Sequence, residues 1–153
     1  MERITKLSND GLQLLKELEG FRANPYLDGA GVPTIGYGST YYKDGTRVTM
    51  NDVAISQFEA TKLLEDLLVH FERTVDCYTR DDIKQHEFDA LVCFAYNIGG
   101  GAFKKSTLIK KVNAKEPDDI IKYEFLRWVR VNGKPDKGLK NRRIKELNLY
   151  FKQ

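Results

Sequence analysis

Between residues 20 and 50 the chain is punctuated in a way that no helix tolerates. Gly29, Gly31, Pro33, Gly36, Gly38 and Gly45 follow one another closely. A glycine costs a helix interior about 1 kcal/mol relative to alanine, and a proline about 3 kcal/mol. The stretch therefore reads as short strands and turns, a small antiparallel sheet and not a hydrophobic core. Asp44-Gly45, set between Tyr41-Tyr42-Lys43 and Thr46-Arg47-Val48-Thr49, predicts a hairpin, because Asp-Gly accepts the positive φ of a type I′ turn. The sequence on either side is helical, so the fold class is α+β and mostly α-helical. Leu12, Leu14, Leu15 and Leu18 recur at helical spacing behind the N-cap candidates Ser8-Asn9-Asp10, and Gly20 supplies a stop. A first helix is predicted over about 9–19, with Glu19 in its last turn.

Beyond residue 55 the period is that of helices. Ser56-Gln57-Phe58-Glu59 is a capping box, and a long helix to about Cys77 follows with Leu63, Leu64, Leu67, Leu68 and Phe71 on its buried side. Asp81-Asp82 opens the next helix, with Phe88, Leu91, Val92 and Ala95 in register, and Gly99-Gly100-Gly101 stops it. Ser106 caps a short helix. Pro117 starts another, with Ile121, Phe125, Trp128 and Val129 on one face, and Asn132-Gly133-Lys134-Pro135 breaks it. A last helix begins near Gly138. The expected organisation is one domain over 1–153 with two lobes: a sheet lobe over about 1–55, a connecting helix over about 56–77 and a helical lobe over about 78–153. A cleft between lobes is a common place for a ligand.

Composition narrows the function classes. A chain of 153 residues buries roughly two-thirds of its unfolded surface, and 41% hydrophobic residues with eight Tyr, eight Phe and one Trp exclude disorder. No apolar run approaches the ~18 residues that span a bilayer, and Met1 to Ser8 lacks the apolar stretch of a signal peptide. A protein without stable membrane association is expected, and one that acts outside the cytoplasm needs something else to release it. The net charge of +3 is spread and not massed into the dense patch of a nucleic-acid binder, so no nucleic-acid partner is expected. A modest positive charge does favour approach to an anionic polymer such as a bacterial wall. Cys77 and Cys93 read as two reduced thiols, consistent with a cytoplasmic origin, and the isolated His70 and His86 argue against zinc.

The segment Glu19-Gly20-x5-Tyr26-x-Asp28-x5-Thr34-x-Gly36-x-Gly38 carries the chemistry. General acid–base hydrolysis of a glycosidic bond needs one proton donor and one carboxylate that activates or positions water. Glu19 suits the donor role, since a helix C-terminus presents the negative end of the macrodipole and favours a retained proton. Asp28, on a wetter turn between glycines, suits the base. The hydroxyl of Thr34, six residues on, is placed to hold the attacking water. Any single acid is usually a solvated surface group; the information lies in seven residue types at fixed offsets. No metal or organic cofactor is implied, since two carboxyl groups suffice.

That segment resembles the catalytic signature of the phage-type lysozyme (endolysin, muramidase) family of glycoside hydrolases, glycoside hydrolase family 24, in which Glu is followed by Asp nine residues on and Thr six residues later. The run Thr34-Ile-Gly-Tyr-Gly38 is similar too. So are Phe88-Asp-Ala-Leu-Val-Cys-Phe-Ala-Tyr-Asn97-Ile-Gly99, Gly101-Ala-Phe103-Lys-Lys-Ser106-Thr-Leu108, Phe125-Leu-Arg-Trp128, Gly138-Leu139 and Arg142-Arg143. The resemblance covers about Leu12 to Leu147. It implies a lysozyme-like fold and cleavage of the β-1,4 bond between N-acetylmuramic acid and N-acetylglucosamine in peptidoglycan, with an inverting outcome. Inversion requires a carboxyl separation of roughly 6.5–9.5 Å, against roughly 5 Å for a covalent nucleophile. It also implies an arginine against the catalytic glutamate, with Arg142 the first candidate and Arg143 the second. With no signal or membrane anchor read in the sequence, the protein is expected to accumulate in a host cytoplasm as a monomer, and the resemblance implies dependence on a separate membrane-permeabilising, holin-like protein. One position departs: the family usually has His after the second glycine of the run, and here that residue is Ser39.

Tyr96, Asn97 and Ser106, at a helix end and a turn, are candidate saccharide contacts, with capping and packing as their structural alternative. Trp128 falls on an apolar face and reads as core, while Tyr41 or Tyr42 reads as a half-buried strand position. Two other activities fit the same composition. A lytic transglycosylase needs one acid and no water, which the offsets of Asp28 and Thr34 argue against. A non-catalytic wall-binding relative has no need of an intact Glu19.

Overall fold

The computed structural model describes residues 2–152. It is mostly helical with a small antiparallel sheet, as the punctuation of the sequence predicts. Helix α1 spans Asn9–Glu19. Its start is capped by Ser8, whose Oγ accepts from the Gly11 N–H at 3.2 Å, and its end is closed by Gly20 at φ 71. Strands β1 (Arg22–Leu27) and β2 (Pro33–Gly36) pair antiparallel, Tyr26 opposite Thr34, with a register shift between Arg22 and Tyr26. Helix α2 covers Gln57–Tyr78. The capping box forms as read: the Ser56 N–H donates to Glu59 at 3.1 Å and the Glu59 N–H to Ser56 Oγ at 3.0 Å.

The remaining elements are α3 (Gln85–Ile98), α4 (Gly100–Lys105), α5 (Thr107–Asn113), α6 (Asp118–Leu126), β3 (Arg130–Val131), β4 (Lys134–Pro135) and α7 (Lys137–Tyr150). No helix among the described residues is long and apolar enough to cross a membrane.

Two compact units make up the described chain: Gln13–His70, and the residues up to Leu12 with those from Phe71 onward. In the second, α3 is buried from Phe88 to Ala95, which is why its sequence is apolar nearly all round. It packs against α7, and the Phe94 ring meets Phe103, Phe125 and Trp128 edge-on at 6.4, 5.3 and 5.7 Å. The unit Gln13–His70 has its own small core of Ile35, Val48 and Leu63, against which Tyr42 and Ile55 pack.

Several local expectations are corrected. The glycine-rich stretch does carry core, because Ile35 and Val48 point inward between the turns. The Asp44-Gly45 turn is not type I′: only Gly45 has positive φ, at 86, and the Asp44 carboxylate accepts from the Thr46 N–H at 2.9 Å in an Asx turn. Helix α3 starts at Gln85 and not at Asp81-Asp82, since Asp82 is held by Arg80 and Lys115 at 2.8 and 2.7 Å. Only Gly99 stops it; Gly100 and Gly101 begin α4. Helix α6 ends at Leu126, so Trp128 and Val129 lie beyond it. The segment after them is a hairpin turning at Asn132 and Gly133, at φ 51 and 77.

Candidate active site

Glu19 is the final residue of α1 and half-buried. The positive φ of Gly20 turns the chain directly into β1, which ends one residue before Asp28. The turn from Asp28 to Val32 is built on the aspartate itself. Its Oδ1 accepts from the Ala30 N–H at 2.8 Å and the Val32 N–H at 2.9 Å, while its own N–H donates to the Val32 carbonyl at 3.0 Å. One carboxylate oxygen is thus committed to the loop, and Oδ2 is the atom left to act on anything else.

Thr34 lies on β2, 2% exposed, and its hydroxyl donates to that same Val32 carbonyl at 2.8 Å. The Asp28 backbone and the Thr34 side chain therefore converge on one acceptor. With its proton directed at Val32, the Thr34 oxygen has lone pairs to offer, so toward a water it acts as an acceptor.

Tyr26 connects these groups to Glu19. Burial first, then the negative charges of Glu19 and Asp28, push its phenol above the ordinary value, while Arg22 acts in the opposite sense. The Arg22 guanidinium lies 4.4 Å from the centre of the Tyr26 ring. Glu19, Asp28 and Thr34 all belong to the unit Gln13–His70.

Among the described residues the other candidates lie in the second unit. Tyr96 is half-buried near the end of α3, its ring 5.2 Å from that of Phe71 and edge-on. Asn97 is exposed, and its Oδ1 accepts from Arg143 Nη2. Ser106 is 4% exposed; its hydroxyl donates to the Phe103 carbonyl at 2.8 Å and accepts from the Ile109 N–H at 3.3 Å. That is the work of a helix cap. Arg142 is buried, and its partners include Glu146 at 3.2 Å and the Cys93 carbonyl at 3.0 Å.

A family model described as phage lysozyme matches residues 16–146. The chain belongs to the phage lysozyme family. It is 41% identical over 149 residues to an endolysin of Bacillus phage B103, covering 95% of this chain and 54% of that protein. An endolysin of Salmonella phage P22 is 33% identical over 138 residues, which is 90% of this chain and 93% of the relative. Among solved structures, the endolysin from Escherichia coli O157:H7 phage FAHEc1 aligns with a TM-score of 0.89 at 36% identity, over 99% of this chain and 97% of that one. The chain thus spans about half the length of the B103 relative and nearly all of the other two.

Within this phage lysozyme frame, Ser39 is 1% exposed and bridges to Ile35, and its hydroxyl has no hydrogen-bond partner among the described residues. Sequence reasoning gave no role to Tyr26 or Glu146. Tyr26 stands in the motif at a fixed offset, which was signal enough. Glu146 gave none, because an acid three residues after an arginine on a helix reads as a solvated pair.

Proposed function

We propose that this chain hydrolyses the β-1,4 bond between N-acetylmuramic acid and N-acetylglucosamine in bacterial peptidoglycan. Glu19 gives its proton to the glycosidic oxygen as the bond to the anomeric carbon breaks. A water held by Thr34 attacks that carbon, and Asp28 Oδ2 takes the proton the water loses. One water is consumed per cut, and exchange with solvent restores both carboxyl groups. The carrying observation is the sharing of the Val32 carbonyl by the Asp28 N–H and the Thr34 hydroxyl, at 3.0 and 2.8 Å, which ties the proposed base and the proposed water acceptor to one backbone group. Attack by water, and not by Asp28 itself, makes the reaction inverting.

The proposed setting is host lysis. The protein collects in the cytoplasm of an infected cell as a monomer and meets the wall once a separate protein has opened the membrane. Its net charge of +3 favours the anionic wall. Tyr96 and Asn97 are proposed saccharide contacts, and Arg142 a supporting residue. Purified walls treated with the protein should lose turbidity and release fragments with ordinary reducing ends, each cut having added one water. Anhydro ends would identify a transglycosylase, and binding without clearing a wall-binding module.

A further inference from the structure

Helix α7 buries three charged residues. Arg143 is 1% exposed, Glu146 0% and Arg142 8%. A lone buried carboxylate is costly, and this one persists because two guanidiniums hold it, Arg143 Nη1 at 2.7 Å and Arg142 Nε at 3.2 Å. Burial pushes the Glu146 carboxyl up, against the pull of both arginines. The rest of the Arg143 fork is also engaged. Nε donates to the Trp128 carbonyl at 3.0 Å, the Phe94 ring lies 5.0 Å below, and Nη2 donates to Asn97 Oδ1. A guanidinium has only donors. The Asn97 amide therefore cannot turn over, because a flipped amide would set N–H against N–H. That leaves Nδ2 as the amide's remaining polar atom, a donor on an exposed residue.

We propose that Glu146 and Arg143 are positioning residues that lock the Asn97 amide as a hydrogen-bond donor, and that Asn97 reads an oxygen acceptor of the aminoglycan, the acetamido carbonyl. This rests on the hydrolase reading above and adds a specificity device to it. The acetamido carbonyl is the strongest neutral acceptor on such a polymer, and a donor fixed by a buried ion pair selects it over an amine at the same position. Asn97→Asp tests the idea, since it keeps an oxygen for Arg143 and replaces the remaining donor with an acceptor.

On purified wall, Asn97→Asp should raise KM roughly two- to tenfold, the worth of one neutral hydrogen bond, with kcat and thermal midpoint held. On chemically de-N-acetylated wall, the ratio of wild-type to variant KM should shrink toward one. Arg143→Lys, which keeps a charge for Glu146 and loses the fork, should lower the thermal midpoint and raise KM, but add nothing to KM in the Asn97→Asp background. If wild type clears wall and Asn97→Asp leaves KM unchanged, the donor role is wrong. A ratio that persists on de-N-acetylated wall overturns the acetamido assignment. If wild type cuts no wall at all, the hydrolase reading fails first and this inference falls with it.

Discussion

Asp28 is claimed to do two things at once, and substitution separates them. Its Oδ1 ties the loop through the Ala30 and Val32 amides at 2.8 and 2.9 Å, while Oδ2 acts on water. A hydrogen bond to a charged group contributes about 1.5–3 kcal/mol and a neutral one about 1 kcal/mol. Asp28→Asn keeps an oxygen for both amides, so the loop should weaken by about 1–2 kcal/mol. Asp28→Ala strips both amides of their partner, at about 2–3 kcal/mol, limited because water reaches this half-exposed turn. Either loss leaves a domain of about 5–15 kcal/mol folded. Activity should respond on another scale, since loss of a general base costs about 10²–10⁴-fold. The assay pairs urea midpoints with initial rates of wall clearing. The expected pattern is nearly equal inactivity in the two variants with unequal stability. An Asp28→Asn protein that clears walls within a few-fold of wild type would show that the aspartate only ties its loop.

Two further outcomes concern stability. Ser39 buries a hydroxyl with no partner among the described residues, so Ser39→Ala should hold or raise stability, by up to about 1 kcal/mol, as read from its thermal midpoint; a clear loss would mean that the hydroxyl is satisfied. Lys115, and after it Arg80, holds the Asp82 carboxyl down to about 2 from the ordinary 3.8. A depressed acid contributes stability that is present above the unfolded value and lost as pH falls through the folded one. Thermal midpoints of wild type should therefore fall between about pH 4 and pH 2 more steeply than those of Asp82→Asn. Parallel curves would contradict the pairing.

Local chemistry was legible where a side chain acts on its own neighbourhood. The span 9–19, the Ser56–Glu59 box and the Ser106 cap each follow from residues within a few positions. The segment at Asn132-Gly133 was visible only as a helix break, because the strands of its hairpin, two residues each, are too short to show a period. The opening of α3 was misplaced because the partners of Asp82 include Lys115, far away in sequence. The same holds at the site. Glu19, Asp28 and Thr34 stand at readable offsets, whereas the commitment of Asp28 Oδ1 to its own loop and the burial of Glu146 under two arginines are facts of packing. Sequence gives a charge its position and not its surroundings.

The central claim is that Glu19 supplies the proton. The decisive measurement is the clearing rate of purified walls by Glu19→Gln, a substitution that keeps the shape and the end of α1 but has no proton to give, beside its unfolding midpoint. A midpoint near wild type with clearing lowered by about 10²-fold or more is the predicted result. Clearing at the wild-type rate by a folded Glu19→Gln protein would contradict it.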